Sequence, residues 1–138
     1  MRNTKQAVRQ AIIVVSLLAG GASLALAHHS YSAFEMAGTR VITGTIKKMD
    51  WTNPHTWIWI DVKKPDGTTE EWGVEAGTPN TLFRLGLTRE ALPVGTEIVV
   101  SGYEARDGAK RANGRDMTFP DGRKLLMGSS VGNDAQSK

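Results

Sequence analysis

The residues of this sequence best suited to chemistry are its three histidines, His28 and His29 in tandem and His55 in Asn53-Pro54-His55. His28 follows Ala25-Leu26-Ala27, and small side chains at residues 25 and 27 are what a signal peptidase reads. Cleavage after Ala27 would make His28 the first residue and give it a free α-amine. An N-terminal histidine chelates a metal through that amine and one ring nitrogen. The His55 imidazole would complete a T-shaped set of three nitrogens, with His29 as a fourth or substitute ligand. Such a set suits Cu(II), which stands above zinc and nickel in the affinity series of divalent first-row metals. The competing reading keeps His28 and His29 as a polar chain end and His55 as a strand cap.

The elements that must position these histidines begin with an export signal over residues 1–27. Arg2, Lys5 and Arg9 form its basic start, Ala11 to Ala19 its apolar run, and Gly20-Gly21 interrupt it. That run is shorter than the roughly 20 residues a spanning helix needs. The expected location is therefore the periplasm, with membrane contact only in transit. Removing 27 of 138 residues leaves 111, enough for one small domain. Three of the 17 basic residues leave with the signal, so 14 remain against 14 acidic ones. This balance takes away the electrostatic case for a nucleic-acid partner. The chain has no cysteine, which excludes disulfides, thiolate metal sites and cysteine nucleophiles.

Residues 28–40 show no period and read as an N-terminal arm carrying Tyr31, Phe34 and Met36. Val41 to Asp50 alternates, with Ile42, Gly44 and Ile46 on one face. His55 to Val62 puts Ile58, Ile60 and Val62 on one face and His55, Trp57 and Trp59 on the other. A Pro65-Asp66-Gly67 turn leads into Thr69 to Ala76, completing an antiparallel hairpin. Thr78 then caps a short helix that Pro79 opens and Gly86 stops. Strands follow over Gly95 to Ala105, Arg115 to Phe119 and Arg123 to Met127, with Arg106 to Gly114 as a loop. The expectation is an all-β domain over residues 41–127 with one short helix, folded as a five-stranded OB-like barrel. The alternative is an open antiparallel sheet with one helix packed on it. Residues 128–138 read as a disordered polar tail.

Two tryptophans on the outward face require cover. Either Trp57 and Trp59, with Tyr31 and Phe34, receive a flat ligand, or the arm folds back and lays Tyr31, Phe34 and Met36 over them. The second case would carry His28 and His29 towards His55, since the twelve residues from His29 to Val41 can reach about 40 Å. Arg106, Lys110, Arg111 and Arg115 read as a solvated basic loop. Glu70 and Glu71 are adjacent and so point to opposite faces of a strand, which does not make a shared acid–base site. Ser30 and Ser32 lack any nucleophile-elbow motif.

The sequence resembles a family of small exported bacterial proteins of unassigned function. The resemblance rests on His28-His29-Ser30-Tyr31, Gly44-Thr45-Ile46, Trp51-Thr52-Asn53-Pro54-His55-Thr56-Trp57, Gly77-Thr78-Pro79-Asn80, Gly95-Thr96-Glu97 and Pro120-Asp121-Gly122-Arg123. It implies an exported β-rich domain and no activity. The histidine set separately resembles the histidine brace of copper-dependent polysaccharide oxygenases and of some periplasmic copper-binding proteins. The expected function is therefore non-catalytic copper binding by a periplasmic monomer. The alternatives are a protein- or glycan-interaction module using the tryptophan face, and a copper-dependent oxygenase.

Overall fold

A computed structural model of the chain describes residues 33–35 and 37–129. Six strands run in the order β1 (Arg40–Asp50), β2 (Trp57–Lys63), β3 (Thr69–Glu75), β4 (Glu97–Glu104), β5 (Arg111–Thr118) and β6 (Lys124–Leu126). Between β3 and β4 lie α1 (Pro79–Arg84) and a 3-10 turn (Arg89–Ala91). Neighbours follow the order β3-β2-β1-β4-β5-β6, and an added parallel pairing of β3 with β5 closes the first five strands into a barrel. The fold is the OB-like barrel, and the open-sheet alternative is excluded by that closure. Among the described residues no helix is long and apolar enough to cross a membrane.

Alternation builds this barrel. Ile42 and Ile46 on β1, Ile58 and Ile60 on β2, Trp72 and Val74 on β3, Ile98 and Val100 on β4, and Ala112 on β5 all point inward and are buried. β1 serves two partners, pairing with β4 through Arg40 to Thr45 and with β2 through Thr45 to Asp50. A register shift between Ile46 and Lys48 bends it from one to the other, as bulges do in closed sheets. The floor is α1, whose Leu82 enters the core together with Leu87 and Leu92. Its start is as expected: Pro79 occupies the first turn and the Thr78 hydroxyl accepts the Thr81 N–H at 3.1 Å. Gly86, at φ +88°, ends it in a conformation that only glycine adopts freely.

Strand ends lie within two residues of the expected ones except at the start of β5. β5 begins at Arg111 rather than Arg115, so four residues assigned to a loop are strand. Ala112-Asn113-Gly114 carries no apolar alternation, because the closure leaves little room there: a Cβ on Gly114 would overlap the Met127 sulfur. Residues 128 and 129, expected to belong to a disordered tail, are packed on the barrel. Gly128 packs on Thr81 and Leu85, and Ser129 is buried with its hydroxyl donating to the Gly114 carbonyl at 2.6 Å. Residues 130–138 lie outside the described residues.

Candidate functional site

The outer face of the β2–β3 hairpin and its continuation onto β5 and β4 holds the candidate site. Register fixes which residues share it. Trp57 pairs with Glu75, Glu75 with Asn113, and Asn113 with Tyr103, forming one row across four strands. Trp59 pairs with Gly73 and Gly73 with Arg111 in the next row. In this row Trp59 lies flat over Gly73, where a Cβ would stand 2.9 Å from the indole. The two tryptophan rings stack with centroids 6.0 Å apart and planes 25° apart.

Trp59 is held from three sides. Besides Gly73 beneath it, its indole N–H donates to Asp50 Oδ2 at 2.7 Å, and Lys48 Nζ stands 5.0 Å from the ring centroid. Lys48 also reaches Asp50 Oδ2 at 3.1 Å. The Lys48 hydrogen bond, followed by that of Trp59, holds the Asp50 carboxyl below the ordinary aspartate range. Trp59 is thus a wall of the site with its polar end committed.

His55 precedes β2. The ladder continues past the strand ends here, with Thr56 N–H bonded to the Gly77 carbonyl at 3.0 Å and Ala76 N–H to the Thr56 carbonyl at 2.8 Å. That places His55 two residues before Trp57, on the same outer face. Its ring crosses to the neighbouring strand, where Nδ1 meets Glu75 Oε1. The His55 side chain is 25% exposed, while that of Glu75 is only 4% exposed. Nε2 has no hydrogen-bond partner among the described residues. Asn113, beside Glu75 in register, is buried too, and its Oδ1 accepts no hydrogen bond.

The expected site residues are thus partly placed. His55, Trp57 and Trp59 share one face. His28, His29, Tyr31 and Met36 lie outside the described residues. Phe34, expected either to receive a ligand with the tryptophans or to lie over them, pairs with Ala105, just beyond β4, with 4% of its surface exposed. Arg106 locks that turn, its N–H bonding the Ala33 carbonyl at 2.9 Å and its Nε the Phe34 carbonyl at 2.8 Å. Ala105 N–H bonds the Arg111 carbonyl, so Phe34 ends the same row as Trp59, with β5 and β3 between them. Nor is the basic loop simply solvated: Lys110 pairs with Glu70 at 2.9 Å and covers Trp72, and Arg111 pairs with Asp107 at 2.8 Å.

Glu75 and Asn113 were not among the site residues expected from the sequence. The Pro65-Asp66-Gly67 turn sets the hairpin register, and counting from it places Glu75 opposite Trp57. Asn113 carried no such signal once its segment was read as a loop. Among the described residues no three His, Cys, Asp or Glu side chains form a metal-holding group, and His55 is the one histidine there.

Residues 15–114 match DUF6152, a family of unknown function. The chain belongs to this family. The match runs from the predicted export signal to Gly114 and spans His28, His29, His55, Glu75 and Asn113, so the resemblance read from the sequence holds at the level of the family. No curated protein matches the chain. A solved structure to which the chain is similar is the mitochondrial single-stranded DNA binding protein Rim1 of S. cerevisiae. The identity is 17%, the TM-score 0.46, and the match covers 63% of this chain and 95% of that one. The expectation of partners that include no nucleic acid is corrected by this neighbour, which is itself a single-stranded DNA binding protein. The physical fault lay in the inference from balanced charge, because a net charge near zero says nothing of how charge is distributed over one face.

Proposed function

We propose that this member of DUF6152 is an exported, non-catalytic copper-binding protein. In this reading the signal is removed after Ala27 in the periplasm, and His28 contributes its α-amine and ring. His55 contributes Nε2, and His29 stands as a further ligand. The observation that carries the reading is the state of His55: one ring nitrogen is engaged by a buried carboxylate and the other has no partner among the described residues. Metal-ligating histidines have this arrangement, with the non-ligating N–H given to a carboxylate that orients the ring and raises its basicity. Nitrogen donors favour Cu(II) over the other divalent first-row ions.

Titrating Cu(II) into protein recovered from the periplasm tests the reading. One equivalent should bind tightly, and His55→Gln should abolish that tight phase while leaving the far-ultraviolet spectrum unchanged. Equal binding by the variant would refute His55 as a ligand.

A further inference from the structure

We propose that Glu75 is the positioning residue of this site: it fixes His55 as the Nδ1–H tautomer and so presents Nε2 as the donor to a metal ion. The inference deepens the copper reading and rests on it for its consequence. Its structural content concerns the metal-free protein and stands or falls separately.

The argument starts from burial. Glu75 sits on β3 with its side chain 4% exposed, between Trp57 on β2 and Asn113 on β5 in the same row. A carboxylate withdrawn from water requires hydrogen-bond donors. The His55 Nδ1 that meets Glu75 Oε1 can satisfy the carboxylate only as N–H. A bare Nδ1 would set its lone pair against a carboxylate lone pair. The neutral imidazole has one N–H, so placing it on Nδ1 leaves the Nε2 lone pair exposed. Free histidine has no such constraint.

Rotation is restricted as well. His55 follows Pro54 and directly precedes Thr56, whose N–H and carbonyl are both in the ladder with Gly77 and Ala76. With Nδ1 on Glu75, the ring is held at both its backbone and its inner edge. Nε2 is then aimed before any ligand arrives, which lowers the ordering cost of binding.

Nitrogen-15 NMR of histidine-labelled protein from the periplasm reads the tautomer directly, with the His55 signals assigned by their loss in His55→Gln. In metal-free protein at mildly alkaline pH, His55 should show a protonated Nδ1 and an unprotonated Nε2. Glu75→Leu should give mixed tautomers and a Cu(II) affinity lower by roughly 10- to 100-fold, the usual effect of losing such a partner. Glu75→Gln, which keeps an acceptor, should fall between. A protonated Nε2 in the wild-type chain would overturn the proposal, and so would unchanged copper affinity in a folded Glu75→Leu variant. If the wild-type tautomer is as stated but no copper binds, the copper reading fails and the role of Glu75 in orienting His55 stands.

Discussion

At the residue scale, the outer face of the hairpin is organised by polar groups that the barrel core does not contain. Asp50 accepts from both Lys48 and Trp59, and these bonds favour its ionised form. A carboxyl whose pKa is lowered on folding stabilises the fold above the ordinary aspartate range, and that contribution fades as pH falls through the lowered value. Trp59→Phe removes one donor, so the Asp50 carboxyl should titrate closer to the ordinary value in an NMR pH titration of the side chain. A second residue-scale test concerns Thr56, whose hydroxyl is fully buried without a hydrogen bond while its backbone is paired on both sides. Thr56→Val keeps the shape and removes the unsatisfied oxygen. Denaturant unfolding should show a gain of about 1 kcal/mol.

At the element scale, the segments that follow β3 and β6 approach each other so closely that side chains have no room. Gly77 donates its N–H to the Met127 carbonyl at 2.8 Å, and a Cβ on Gly77 would overlap the Gly128 carbonyl. That neighbour is backbone, which cannot swing aside, so Gly77→Ala should cost roughly 1–3 kcal/mol in urea unfolding. The same crowding explains what could be read in the sequence. Strands β1 to β4 were legible because Ile42, Ile46, Ile58, Ile60, Trp72, Val74, Ile98 and Val100 mark one face with period two. α1 was legible from Thr78, Pro79 and Gly86. The start of β5 was not, because tight packing selected Ala112, Asn113 and Gly114, residues that mimic a loop. Missing β5 meant missing what buries Glu75, and so the carboxylate that gives His55 its orientation. His55, Trp57 and Trp59 could be placed on one face from alternation alone.

At the scale of the whole molecule, residues of all five barrel strands meet in one core with Leu82, Leu87, Leu92 and Met127 from the connecting and terminal segments. A core shared in this way unfolds as a unit. Ile58→Ala, at a fully buried position, should lower stability by about 2–5 kcal/mol and keep a single denaturation transition. His55 lies on the outer face and is not part of this core, so a substitution there need not unfold the chain. The copper proposal makes the same separation: a rigid barrel presents His55, and processing of the chain creates the remaining ligands. The most direct measurement is a Cu(II) titration of the chain beginning at His28 against the same chain with one residue added before His28. The account predicts tight binding of one ion by the first and a marked loss of affinity in the second, whose terminal amine is displaced by the added residue. Equal affinity in the two would contradict it.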